Sequence, residues 1–374
     1  MTALAACFAP GASWDEARPD DDQEVRSLLR ACPMDGLIRV ALTREPDTAL
    51  SASIEGTRHR TFVVRDHERG GLRGMGARSV RNVWLDGNAA KLGYLGQLRA
   101  APGAIGPRRL MEGYRTFESA WQEDELAFDL TAIAEDNEPA RRLLERGLPG
   151  LPRYERIGVI ETLVIATGGR REQRVRAAVP GEERRVLDFV DQQLHGCALA
   201  PRWDEAQRNR ESLRGLDARD FLLLEVDGEL AATAAIWDQR AFKQVVVDGY
   251  RPWLAFARPI VNVALRARGE PLLPPPGSKL AMAYLSHLAV AADDRAVAEA
   301  IVRAASLAAK RRGIDTLAFA LADGHPLHAP LVRKLAPRRY RSILYAVSWT
   351  SRPIKHATLE SLRSGRIHVE AATL

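Results

Sequence analysis

Residues 98–110 read LRAAPGAIGPRRL, and their types and spacing could hold an anionic ligand. Gly103, Ala104, Ile105 and Gly106 set small residues around one apolar anchor. Pro107 suits a first helical position, and Arg108 and Arg109 add positive charge beside it. A helix N-terminus presents unpaired N–H groups and a partial positive charge, so a backbone able to come close there can receive phosphate oxygens. The same letters also describe an ordinary strand-to-helix turn, and both readings stand at this point. Elsewhere the chemistry is thinner. His325, His328 and Asp323 lie together in ADGHPLHAP, but no cysteine or further carboxylate stands at metal-ligand spacing, so no metal is expected. No serine or cysteine occupies a nucleophile-elbow context.

The elements that must position the loop can be read from periodicity. Strands are expected near HRTFVVRD (59–66), ARSVRNVWL (77–85) and KLGYLGQLR (91–99), the last running into the loop. A long helix over 107–122 carries Leu110, Tyr114, Phe117 and Trp121 on one face and must lay that face on a sheet. Strand LAFDLTAIA (126–134) and helix EPARRLLERG (138–147) follow. The order is neither strictly alternating nor all-β. The fold class it predicts is α+β, a mixed, largely antiparallel sheet with helices on both faces.

The pattern occurs twice. Ala17, Pro19 and Val25 fall on Ala178, Pro180 and Val186 at one constant offset. GYLGQLRAA (93–101) matches AYLSHLAVA (283–291), with Tyr94, Leu95 and Leu98 facing Tyr284, Leu285 and Leu288. In ELAFDLTAIAEDN (125–137) and TLAFALADGH (316–325) a Leu-Ala-Phe run recurs. We read a tandem duplication with an N-terminal unit over 15–167, a C-terminal unit over 170–350 and a tail over 351–374, the joint falling in ATGGRREQ (166–173). The second unit is longer because of 248–278, where a helix is expected to gather Trp253, Phe256, Ile260, Val261 and Leu265 on one side against the surface between the copies.

At 374 residues, two domains are the default. The chain is 46% hydrophobic and has no apolar run long enough to span a bilayer, so no membrane partner is expected. Cys7, Cys32 and Cys197 are few, scattered and odd in number, which fits a reducing, cytoplasmic setting. The net charge of +6 comes from arginines interleaved with acids rather than from a basic stripe. That disfavours nucleic acid and suits an anionic small ligand.

The segments YLGQLRAAPGAIGPRRLMEGY (94–114) and TAIAEDNEPARRLLERG (131–147) resemble the GNAT superfamily of acetyl-CoA-dependent N-acetyltransferases. The resemblance covers about 15–167 and, more faintly, 172–349. It implies two GNAT-like domains and direct attack of an amine, from a small molecule or a peptide, on the thioester of acetyl-CoA or another acyl-CoA. It implies that Leu98, Arg99 and Ala100 lie on the splayed central strand whose backbone N–H binds the oxyanion. The pyrophosphate would rest on Gly103 to Gly106 beside Arg108 and Arg109, and Asn137 would contact the pantetheine arm. The family's helix tyrosine is Leu144 here, so Tyr154 is the nearest replacement acid, with Tyr94 and Glu135 as further candidates for moving a proton. In the second copy the loop position reads VAADDRAVAEAIV (290–302), and Asp293 and Asp294 would repel a pyrophosphate. The resemblance therefore implies one working cofactor site and a degenerate partner copy. The alternative is a non-catalytic acyl-CoA sensor or interaction platform, and a homo-oligomer is open to either.

Overall fold

The computed structural model describes residues 12–68, 70–101, 106–121, 125–169, 172, 174–204 and 208–374. The first half runs β1 (Ala12–Glu16), α1 (Asp22–Ala31), β2 (Ile38–Thr43), α2 (Thr48–Glu55), β3 (Arg58–Asp66), β4 (Leu72–Leu85), β5 (Asn88–Ala100), α3 (Pro107–Trp121), β6 (Asp129–Ala134), α4 (Glu138–Leu144) and β7 (Arg153–Ala166). The second runs β8 (Val175–Ala177), α5 (Glu183–Leu194), β9 (Phe221–Val226), β10 (Glu229–Trp237), β11 (Gln244–Tyr250), α6 (Pro252–Ala267), β12 (Met282–Val290), α7 (Arg295–Arg311), β13 (Thr316–Ala322), α8 (His328–Leu335) and β14 (Arg338–Ser348). A last helix, α9 (His356–Ser364), precedes the tail. Removing β2 and α2 from one half, and β11 and α6 from the other, leaves the same order in both.

The helices form where the apolar period demands it. Leu110, Tyr114 and Phe117 of α3 are buried against Phe62, Val80 and Leu95. Val25, Leu28 and Leu29 of α1, like Val186, Leu187 and Val190 of α5, turn inward in the same way. The two halves share one mixed sheet. Its order is β1-β3-β4-β5-β6-β14-β7-β13-β12-β10-β9-β8, antiparallel except for β5 beside β6 and β12 beside β13. The last strand of each half lies beside the penultimate strand of the other, and β14 and β7 pair along their length. Ile343, Tyr345 and Val347 of the second half therefore complete the core around Tyr114 and Phe117 of the first. The chain passes from one half to the other between Ala166 and Val175, and the sheet continues unbroken across that point.

The seam is also held by charge. Glu161 on β7 is fully buried and accepts from Arg339 at 2.6 Å, Arg341 at 2.8 Å and His328 at 3.0 Å, all from the second half. The bidentate hydrogen bonds from Arg339 outweigh burial and hold the carboxyl near 2.

Two sequence expectations are corrected, and one open question is answered. Tyr94 stands opposite Leu130 and Tyr284 opposite Ala318, so the Leu-Ala-Phe runs at 126–128 and 317–319 are out of structural register. In the first half the run lies ahead of β6, and only in the second is it inside the strand. The inserted helix α6 has two apolar faces rather than one. Leu254, Val261 and Leu265 pack on Ile38, Tyr250 and Leu273, whereas Trp253, Phe256 and Ile260 point to solvent. The tail, whose place the sequence left open, buries Ile367 to Thr373 between the halves.

Candidate functional site

The central strand of each half carries a bulge at the same place. On β5, Gln97 takes φ +55° and the ladder to β4 slips between Met75 and Ala77. On β12, His287 takes φ +52° and the ladder to β10 slips between Thr233 and Ala235. Each strand also parts from its parallel neighbour just after a tyrosine. Register ends at Tyr94 with Leu130 in the first half and at Tyr284 with Ala318 in the second. Each half thus holds a wedge between two splayed strands, with a bulge on one wall. Gly93 N–H reaches Phe128 on the wedge side at 3.1 Å, and Leu95 carbonyl accepts from Thr131 on that side at 2.8 Å. Alternation along the strand then turns the Gln97 N–H into the wedge.

The second wedge is occupied by the chain itself. Glu370 of the tail accepts the His287 N–H at 3.0 Å and the Ala372 N–H at 3.2 Å. At the start of α7 the Asp294 carboxylate accepts from Ala296 and Val297 N–H at 2.8 and 3.1 Å, so those donors are already satisfied. Asp293 pairs with Arg366 of the tail at 3.0 Å. The first half has no acid between residues 98 and 109.

Tyr94 lies in the first wedge. The Arg81 guanidinium sits 4.1 Å from its ring centroid, and the Ala132 backbone N–H of β6 is among the groups around its hydroxyl. Burial first, against the opposing pull of Arg81, pushes the phenol above its ordinary value, so it stays protonated at neutral pH. Beneath it is a buried charged cluster that sequence reasoning missed. Glu55 at the end of α2 accepts from Arg44 at 3.2 Å and from the Gln97 side chain at 3.1 Å. Burial alone would raise this carboxyl, but Arg44, then His59, Lys243 and Arg81, hold it below its usual value. Lys243 donates to the Ala372 and Leu374 carbonyls at 3.2 and 2.6 Å, anchoring the tail. Burial, then repulsion from Arg44, lowers its ammonium to about 7. Burial likewise raises Glu370 to about 7. A cavity of about 30 Å³, room for a water or two, is lined by Glu55, Arg81, Tyr94, Trp203 and Glu370. One residue of this set, Arg81, gave a sequence signal by standing inside an apolar strand, and it is buried there.

The remaining sequence candidates are placed as follows. Leu98 follows the bulge and is exposed, whereas Arg99 and Ala100 are back in register with Met75 and Gly74. Arg99 donates to the Leu98 carbonyl at 3.0 Å. Gly103, Ala104 and Ile105 lie outside the described residues. The Gly106 carbonyl accepts from Leu110 N–H at 3.0 Å at the start of α3, where Arg108 is exposed and pairs with Glu112. The Arg109 carbonyl accepts from Trp14 at 2.7 Å. Asn137 caps α4, accepting from Ala140 N–H at 3.3 Å. Glu135 pairs with Arg341 at 2.8 Å. Tyr154 hydrogen-bonds Tyr114 and packs against the Tyr345 ring, within the core under α3 rather than in the cavity that Tyr94 lines. Among the described residues no cluster of three or more metal-ligating side chains occurs.

Solved structures with the same arrangement decide the fold. N-myristoyltransferase of Saccharomyces cerevisiae, bound to myristoyl-CoA, superposes with a TM-score of 0.58 at 10% identity, covering 91% of this chain and 84% of that one. A GCN5-related N-acetyltransferase from Sphaerobacter thermophilus gives 0.55 at 13% identity, over 98% and 100% of the two chains. The chain has the GNAT fold, written twice. A glucosamine N-acetyltransferase region of a fungal β-N-acetylglucosaminidase matches with 0.57 at 15% identity, over 91% of this chain and 38% of that longer one. No family model matches the sequence, and no curated protein is significantly similar to it. At these identities the GNAT likeness speaks for architecture, and the reaction must be argued from the wedge.

Proposed function

We propose that this protein is an acyl-CoA-dependent N-acyltransferase with one working cofactor site, in the wedge of its 15–167 half, and a second half over 170–350 that shapes the acceptor side. The observation that carries the reading is the asymmetry between two like wedges. The bulge N–H of the second is taken by Glu370 and its helix start by Asp294, while the loop from 98 to 109 contains no carboxylate. The reaction type is also that named for the superposed structures, one of which, the yeast N-myristoyltransferase, holds bound myristoyl-CoA.

In this reading the thioester carbonyl of acetyl-CoA or another acyl-CoA lies against the Gln97 N–H, which stabilises the oxyanion as the amine attacks. The pyrophosphate rests at the start of α3, where residues 103–106 let the backbone approach and Arg108 and Arg109 add charge. Glu370, poised near 7, takes the proton of the small-molecule or peptide amine through water in the cavity it lines. Tyr94, kept protonated, gives its proton to the departing thiolate. The C–N bond forms, the C–S bond breaks, and the two protons balance.

Calorimetric titration with acetyl-CoA and myristoyl-CoA tests this, with Ala104→Asp copying the acid of the second copy's loop. One site per chain for either ligand, lost in the variant, is the expected result. No binding of either, or two sites per chain, would overturn the asymmetric reading.

A further inference from the structure

Helix α6 presents to solvent a stripe that belongs to no core. Trp253, Phe256, Ile260 and Val263 recur at helical spacing and are 59%, 88%, 75% and 69% exposed. Pro252, Ala264 and Ala267 fill the same face, and no charged residue interrupts it. Four large apolar side chains exposed in one row exceed what a surface carries without a partner. Leu37, also exposed, lies beside the stripe, since its carbonyl accepts from Arg251 N–H at 3.1 Å. The opposite face of α6 is buried on Tyr250, Ile38 and Leu273, so the helix is fixed with its second apolar face outward.

Charge selects the occupant. Arg266 and Arg268 stand at the C-terminal end of the stripe and Arg251 at its N-terminal end, while Arg258 lies over the Tyr250 ring on the opposite face. No acid occurs between residues 251 and 268, and none of the four arginines forms an ion pair among the described residues. The neighbouring Asp248 is engaged by Arg39, and the nearest acid beyond the helix is Glu270. We infer that α6 is an interfacial anchor that seats this protein on an anionic lipid surface, the stripe entering the acyl boundary and the arginines meeting headgroup phosphates. A second copy of α6 would bring the arginines at the stripe's ends together with no carboxylate on the helix to answer them. The helix is 16 residues long, about 24 Å, and lies along the surface rather than across it. No helix among the described residues is long and apolar enough to cross a membrane, so the anchor is peripheral. The proposed anchor departs from the sequence expectation of no membrane partner.

The anchor joins the site through β11. That strand starts beside Lys243 in the buried cluster and reaches Tyr250 after seven residues, about 23 Å at roughly 3.3 Å per residue. It pairs with β2 of the first half along the way, so a stiff two-stranded ribbon drawn from both halves carries α6.

Co-sedimentation of the full chain with phosphatidylglycerol–phosphatidylcholine vesicles, against phosphatidylcholine alone, tests the inference independently of any acyl-CoA binding. Binding is expected to the anionic vesicles and to weaken as salt rises from about 0.05 to 0.3 M. Phe256→Asp with Ile260→Asp should lower it about tenfold or more at an unchanged melting midpoint. Arg266→Glu with Arg268→Glu should lower it mainly at low salt. Failure of the wild type to bind, or equal binding by the apolar-face variant, would overturn the anchor. A concentration-dependent dimer abolished by that variant, without vesicle binding, would overturn it in favour of a second copy.

Discussion

Strands β5 and β12 carry the same bulge and part from their neighbours after the same tyrosine, yet different groups stand around them. Against β12 the chain folds its own tail and gives the bulge N–H a carboxylate. After β5 the sequence continues into a glycine-containing segment and two arginines, with no carboxylate among them. The contrast shows that a fold can supply a wedge twice with different groups around it, and on the proposed reading those groups decide which one receives an anion. Oriented backbone donors attract a phosphate or an internal carboxylate equally well, so filling a site from within is an effective way to retire it.

The largest expected effect lies at the base of the wedges. In the first half Gly93 faces the buried Asp129, and a Cβ at 93 would stand 1.8 Å from the Asp129 carboxylate oxygen. Asp129 in turn accepts from Arg78 at 2.8 Å and from Trp349 at 3.0 Å. The corresponding second-half pair is Ala283 with Leu317, apolar on both sides. Gly93→Ala should displace Asp129 from Arg78 and cost about 3–5 kcal/mol, as breaking a buried ion pair does. Ala283→Gly should cost only about 1 kcal/mol. Denaturant titration of both variants checks this, and equal losses would break the comparison at its base.

Next comes the chemistry. Tyr94→Phe should lower kcat about 100-fold with little change in KM, because the proton it supplies is needed as the thiolate leaves. Tyr284→Phe, in the filled wedge, should stay within about twofold of the wild type. Similar losses in the two variants would mean that both tyrosines only pack.

How much of this was legible in sequence follows from the range of each interaction. The helices and the Tyr94–Tyr284 match were readable, because periodicity and local similarity are written in neighbouring residues. The exchange of β7 and β14 was not, since it rests on pairings between Tyr154 and Val347, far apart in the chain. Nor was the buried cluster. Glu55, Arg44, Lys243 and Glu370 look in sequence like any solvated charge, and only tertiary packing removes their water. Similarity also misled once, at the Leu-Ala-Phe runs, where apolar letters recur in any pair of buried strands. The outward face of α6 was missed for a related reason. Apolar residues of one helix are read as one face unless their angles are worked out, and Leu254 and Phe256 lie on opposite sides.

A smaller effect concerns Glu370, which belongs to both wedges by closing one and lining the cavity of the other. Its carboxyl is raised by burial to about 7, so the ionised form able to accept a proton grows as pH rises through 7. The wild-type rate should therefore rise from pH 6 to pH 8. Glu370→Gln should lose that limb and run about tenfold slower at pH 8. The amide oxygen can still accept from His287, so the tail should stay in place, and an unchanged melting midpoint would separate the chemical role from the structural one. A variant that keeps the limb would move the titrating group to Lys243, held near 7 beside it.

The smallest effect tests whether the second wedge is closed by its helix start or by the tail. Asp294→Ala removes the acceptor of two α7 N–H groups and should cost about 1 kcal/mol, the usual price of a lost N-cap. If that carboxylate alone excluded a phosphate, the variant would bind a second acetyl-CoA. Glu370 would still hold the His287 N–H, and Lys243 and Gln239 would still hold the Ala372 carbonyl, so the tail should keep the wedge filled. The expected stoichiometry therefore remains one. A stoichiometry of two would mean that a single acid separates the halves, and that the tail yields to the ligand.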